Sequence, residues 1–309
     1  MRVSPVAALV AAACLVQACS SQPTPDARPE AETTASMPSR SPSVPPAPAT
    51  PDAGAPRLAE VPTANRPAAL ARQLETALSI LRDEQSSPAD QQRAGEFQQL
   101  ATRLVAQRGP AYERTATSRL SGDSAPVVRA GIRAARQLDS MTDPQSRFPR
   151  WRIVPPEPPE RLLADYWAAE RRLGVPWTHL AAIHLVETRM GRIRGTSSAG
   201  AEGPMQFLPT TWTMYGAGGD INDTRDAIFA AARLLKANGA PGEMAEALWH
   251  YNPSDSYVRA VSEYAETMRR TDWAYRGYWH WRVLYKHVGG THALPEGYPD
   301  ARPVLVSRD

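Results

Sequence analysis

Glu187 closes an apolar run, Leu180-Ala181-Ala182-Ile183-His184-Leu185-Val186, and is followed by Thr188-Arg189-Met190-Gly191. Beyond it, the small residues Ser197-Ser198-Ala199-Gly200-Ala201 lead into Gly203-Pro204-Met205-Gln206, and later comes Tyr251-Asn252. A carboxylate near a helix C-terminus meets the negative end of the helix dipole, and apolar flanks disfavour its charged form. Both raise its pKa, as a general acid working near neutral pH requires. Arg189, Arg192 and Arg194 oppose that trend if they fold toward it. Gln206 both donates and accepts hydrogen bonds, which recognition of an amide needs. Small residues let backbone approach a bulky ligand, and Met205 and Phe207 supply an apolar wall.

These residues need rigid elements to hold them. From Glu160 to Gly289 the pattern predicts helix after helix. Arg161–Leu173 carries Leu162, Leu163, Tyr166 and Trp167 at helical spacing. Pro176 opens a helix ending near Gly191, and Pro209 opens a short one closed by Gly216. Asp223 caps the next, with Asp226 at its third position, and Asn238-Gly239 ends it. Pro241 opens a helix to His250, and Ser254 or Asp255 caps another whose Val258, Val261, Tyr264, Ala265 and Met268 share a side. No long strand-like run precedes the last residues. Trp279-His280-Trp281 and Val283-Leu284-Tyr285 form short strands or lie across the domain. The expected class is mainly α.

Other chemistry is weaker. Asp220, Asn222, Thr224 and Asp226 alternate as in a calcium loop, but lack the glycine and terminal glutamate of that pattern, so capping is the better reading. His179 and His184 are not at the i, i+4 spacing of a zinc helix. With His250 and His280 they read as core or surface histidines. No metal or other cofactor is expected. Trp212, Trp249, Trp279 and Trp281 could stack on sugar rings, though one at most is expected to line a groove. The net charge of +3 is too small and scattered for nucleic acid, and the lysines are only Lys236 and Lys286.

Taken together, Glu187-Thr188, Gly203-Pro204-Met205-Gln206 and Tyr251-Asn252 resemble the three motifs of the lytic transglycosylase catalytic domain, a goose-type-lysozyme-like fold, over about residues 160–270. Thr188 stands where serine is usual, Pro204 where leucine is common, and His250 where alanine is common. The resemblance implies a lysozyme-like helical domain that cleaves peptidoglycan between N-acetylmuramic acid and N-acetylglucosamine. It makes Glu187 the sole acid and base. Met205 and Gln206 would hold the sugar, Tyr251 would orient Glu187 or the acetamido group, and Asn252 and Thr188 would support them. A second carboxylate is then unnecessary, because the acetamido group and the sugar's own hydroxyl replace it. Glu202, Asp220, Asp223 and Asp226 are not assigned as nucleophiles. A muramidase admitting water and a non-catalytic wall-binding protein are the alternatives.

The N-terminal part says where such an acid would work. Arg2 and the apolar stretch Val6–Val16 read as a signal peptide over residues 1–19, too short to span a bilayer stably. Val16-Gln17-Ala18-Cys19 resembles the bacterial lipobox, which makes Cys19 a lipidation site and the protein an exported, membrane-anchored envelope component. Cys14 and Cys19 are the only cysteines, so the exported body builds no disulfide. Residues 20–66 hold eleven of the thirty prolines and few large apolar groups, the composition of a disordered tether. In extended form it reaches on the order of 100 Å from a membrane. Residues 67–142 read as a helical region with leucines at Leu70, Leu74, Leu78 and Leu81. Residues 143–159 are a Pro-rich connector, 160–289 the catalytic domain and 290–309 a tail. The aromatics follow this division: all eight tryptophans lie between Trp151 and Trp281. The helical region either packs on the later domain or holds a partner. A mildly basic surface suits an anionic polymer such as cell wall.

Overall fold

Proline sets where the chain turns helical. It occupies the first turn, where its missing N–H costs nothing, in α1 (Pro67–Arg82), α2 (Pro88–Ala106), α3 (Pro110–Thr117), α5 (Pro159–Leu173) and α7 (Pro209–Tyr215). The computed structural model describes Pro62 and residues 66–307. The stretch read as a signal peptide, Cys19 and nearly all of the segment read as a tether lie outside the described residues. The remaining helices are α4 (Ser124–Asp139), α6 (Trp177–Thr188), α8 (Thr224–Ala237), α9 (Met244–Tyr251), α10 (Asp255–Arg270) and α11 (Asp272–Trp279). The protein is mainly α, and no described helix is long and apolar enough to cross a membrane.

The caps follow the sequence closely. Asp223 accepts from the Asp226 backbone N–H at 2.9 Å, and Ser254 accepts from that of Tyr257 at 3.3 Å. Pro241 does not open α9, which begins at Met244. Residues 67–142, read as helical, form α1 to α4.

Two cores form. Leu70, Leu74, Leu78 and Leu81 of α1 pack with Phe97, Val128 and Ile132 and with Trp273 of α11. The second core centres on α6, which is apolar on nearly every side and packs against α5, α8, α10 and α11. The first helices are docked onto this core. Helix α4 lies along α10, where the Arg133 guanidinium donates to both oxygens of Glu263 at 2.5 and 2.8 Å. Helix α2 approaches α11 so closely that a Cβ at Gly95 would sit 2.8 Å from the Gly277 carbonyl oxygen. Residues 66–307 all belong to one compact unit.

Short strands complete the structure. The segment read as a passive connector contains β1 (Arg152–Ile153), which pairs antiparallel with β2 (Ile193–Arg194), just past the end of α6. Residues 290–307, read as a tail, instead form most of a sheet. There β3 (Val283–His287), β4 (Gly290–Leu294) and β5 (Val304–Ser307) make an antiparallel meander, with a hairpin closing at His287 and Gly290. Trp279 ends α11 rather than starting a strand.

Candidate active site

Glu187 is the penultimate residue of α6, and the way that helix stops fixes its direction. Arg189, Met190 and Gly191 follow with φ of 55°, 59° and 83°. A left-handed conformation costs an L-residue roughly 1–2 kcal/mol, so two in succession need compensation. The Arg189 guanidinium folds back to donate to the Leu185 and Val186 carbonyls, capping the helix end. The Met190 N–H donates to the His184 carbonyl at 3.1 Å. Thr188 is fully buried: its hydroxyl accepts from the Gly191 N–H at 3.0 Å and donates to the Pro204 carbonyl at 2.6 Å. That second bond ties the end of α6 to the Gly203–Gln206 turn.

The turn is pinched at its base by Glu202 and Phe207, whose backbones exchange hydrogen bonds of 2.8 and 2.9 Å. Gln206 has a φ of 50°, and its amide donates to the Gly203 carbonyl at 2.9 Å and toward that of Gly195 at 3.4 Å. Met205, expected to hold a sugar, is fully buried, so neither its thioether nor its backbone is open at the surface of the turn. Its carbonyl accepts from the Tyr251 hydroxyl at 2.6 Å. The sequence assigned Tyr251 to Glu187 or to a ligand; the hydroxyl is committed to the turn instead.

Tyr257, which the sequence did not single out, takes the place at Glu187. It lies in the first turn of α10, and its hydroxyl donates to Glu187 Oε1 at 2.7 Å. The Tyr251 and Tyr257 rings lie parallel, 4° apart in plane with centroids 6.4 Å apart. The Met205–Tyr251 and Tyr257–Glu187 hydrogen bonds are thus set side by side. Tyr257 shares the stripe of Val261 and Tyr264, the clue that an apolar face carried a hydroxyl. Asn252, in extended backbone after α9, is buried with no partner for its side-chain nitrogen among the described residues.

Burial dominates the electrostatics. It pushes Glu187 up to about 7, against the pull of the Tyr257 hydrogen bond and the Arg189 charge. Of the other two arginines, Arg192 is paired with Glu296 at 2.7 Å and donates to the Trp279 carbonyl. Arg194 reaches the Asn222 carbonyl at 3.5 Å. Burial and then the neighbouring Glu187 hold Tyr251 and Tyr257 well above the ordinary tyrosine range, so both stay protonated donors. One expected result follows. Tyr257→Phe removes a bond that favours the carboxylate, so the Glu187 pKa should rise by about one pH unit. A carboxyl-carbon NMR titration of the variant would measure it; an unchanged midpoint would remove Tyr257 from this role.

The remaining candidates divide clearly. His184 is a core residue: it shares a 2.7 Å hydrogen bond with the Tyr166 hydroxyl, and burial lowers it to about 3. The acidic segment at 220–226 is engaged in its own turn, with Asp220 accepting from Asn222 N–H and Asp226 accepting from Asp220 N–H. Among the four tryptophans, Trp281 is buried, Trp279 donates to the Glu157 carbonyl, and Trp212 packs on Phe207. Trp249, 43% exposed, is the most open.

Comparison with protein-family models, with curated proteins and with solved structures finds no match to this chain.

Proposed function

We propose that this protein is a lytic transglycosylase of peptidoglycan, with Glu187 as its only acid and base. The observation that carries the reading is a half-buried carboxyl, raised to about 7, beside a turn hydrogen-bonded to the next residue in the chain. At that pKa one group can both give and take a proton near neutrality. Protonated Glu187 donates to the glycosidic oxygen as the C1–O bond of the muramoyl residue breaks. The carboxylate left behind then takes the proton of the muramoyl 6-hydroxyl, whose oxygen bonds to C1. The proton returns to Glu187 and no water is consumed. The products are a 1,6-anhydromuramoyl end and a free 4-hydroxyl on N-acetylglucosamine. Gln206 and Gly203 would face the N-acetyl sugars, while Thr188, Tyr251 and Asn252 support them from behind. The export signal, the lipid on Cys19 and the tether belong to the same reading: a membrane-held enzyme whose polymer lies at a distance.

Digestion of purified sacculi followed by mass spectrometry tests this. The expected products are muropeptides one water lighter than their reducing counterparts. Reducing ends alone would make the protein a muramidase, and binding without any cleavage would make it a wall-binding protein.

A further inference from the structure

Arg192 stands where the chain leaves the left-handed stretch Arg189–Gly191 that follows Glu187. It is buried and held at both backbone and side chain. Its carbonyl accepts from the Val154 N–H at 3.0 Å. Its guanidinium donates to Glu296 at 2.7 Å and to the Trp279 carbonyl at 3.1 Å, and lies 5.7 Å from the centre of the Trp279 ring. A rigid, planar fork bonds two acceptors and faces an aromatic ring with little loss of freedom. These anchors come from three separate parts of the chain, and none from residues 160–270, where the motifs lie. Val154 follows β1, Trp279 ends α11 and Glu296 stands between β4 and β5. The anchors are also joined to one another. The Trp279 indole N–H donates to the Glu157 carbonyl at 2.9 Å, and Ile153 donates to the Tyr298 carbonyl at 3.1 Å and accepts from the Gly297 N–H at 2.9 Å. The connector, the end of α11 and the β4–β5 loop thus form one frame around Arg192.

From Arg192 the restraint passes to the site in two steps. The N–H of its neighbour Gly191 donates to the Thr188 hydroxyl at 3.0 Å, and that hydroxyl donates to the Pro204 carbonyl at 2.6 Å. Between the frame and Thr188 lie Arg189 and Met190, with φ of 55° and 59°. L-residues leave that conformation downhill unless both ends of the segment are held. Thr188 holds one end and Arg192 the other.

We propose that Arg192 is a positioning residue: clamped by Glu296, Trp279 and Val154, it holds the strained segment after Glu187 and so keeps Glu187 in register with the Gly203–Gln206 turn. Resting on the function proposed above, the connector and the C-terminal sheet are then working parts of the enzyme, because they set where the acid stands relative to the sugar.

The test compares Glu296→Gln and Arg192→Gln in the full chain, with carboxyl-carbon NMR following the titration of Glu187. Loss of the clamp admits water to the carboxyl, so the midpoint should fall by about one pH unit in both variants. The pair separates position from charge. Glu296→Gln leaves the Arg192 cation uncompensated, which by charge alone lowers the midpoint. Arg192→Gln removes that cation, which by charge alone raises it. A fall in both is the mark of position. The Gly191 amide should also exchange about tenfold faster in both, while the amides of Ile183 and Leu185 inside α6 keep their wild-type rates. Opposite shifts, unchanged midpoints, or faster exchange along all of α6 overturn the proposal. On sacculi the turnover of both variants should fall about tenfold. Titration and exchange need no turnover, so they decide the clamp separately from the enzyme. A wild type that cleaves nothing, with both midpoints lowered in the variants, removes the enzyme and leaves the clamp. Cleavage by the wild type with unshifted midpoints in the variants does the reverse.

Discussion

Glu187→Gln should lower the rate of peptidoglycan cleavage by about 10³–10⁴-fold while making the protein more stable at alkaline pH. The two effects have one cause. The amide has nearly the shape of the acid and keeps an oxygen to accept from Tyr257, but it can neither give nor take a proton. The stability term follows from linkage. Burial raises the carboxyl from 4.5 to about 7, so between those values the native protein holds a proton that the unfolded chain has lost. Stability therefore falls as pH rises through that window, and above it the wild type carries a cost of about 3 kcal/mol. Glutamine has no such cost. Urea unfolding at pH 8 should show the variant ahead by about that amount, and at pH 5 the gap should shrink below about 1 kcal/mol. The wild-type rate should fall tenfold per pH unit above about 7, as the acid is lost. A variant that still cleaves, or a stability gap that ignores pH, would show that Glu187 is not the buried acid of this reaction.

The residues that were legible in advance owe it to local physics. Pro67 and Pro209 open helices because of their own missing N–H, and Asp223 caps because its acceptor is three residues away. Glu187 stood out for the same reason: its apolar flank is its own helix. What escaped depended on partners far off in the chain. Tyr251 and Tyr257 are separated by one cap, and which of them meets Glu187 depends on how α10 crosses α6. Tyr257 reaches its partner across 70 residues, a pairing no local pattern encodes. The strands β1 and β2 have two residues each, too few for alternation to show. The prolines around β1 suggested a spacer, yet Val154 donates to the Arg192 carbonyl at 3.0 Å, binding that segment to the loop after α6. In the same way β4 escaped because its pairing with β3 and β5, not its own short pattern, defines it.

Gly203→Ala should cost about 3 kcal/mol or more and should remove most activity even in the protein that remains folded. Two terms contribute. The residue has a φ of +73°, which an alanine adopts only with a backbone penalty of roughly 1–2 kcal/mol. In addition, an added Cβ would lie 1.9 Å from the Ile221 carbonyl oxygen. That oxygen cannot yield easily, because the next residues are held by hydrogen bonds of Asn222 and Asp223 to Asp220 and by the cap of α8. The turn must move instead. Its displacement pulls the Pro204 carbonyl from Thr188 and the Met205 carbonyl from Tyr251, the two bonds that register the turn against Glu187. A shift on the order of 1 Å at such a site can cost about 10²-fold in rate. Gly200→Ala separates the terms. Gly200 has a φ of +82° but nothing within 4 Å of its Cβ position. It should lose only the backbone part, about 1 kcal/mol, and keep its activity. Denaturation midpoints and cleavage rates of the two variants side by side decide the matter: equal losses would mean that backbone strain alone acts and that the contact with Ile221 does not position the turn.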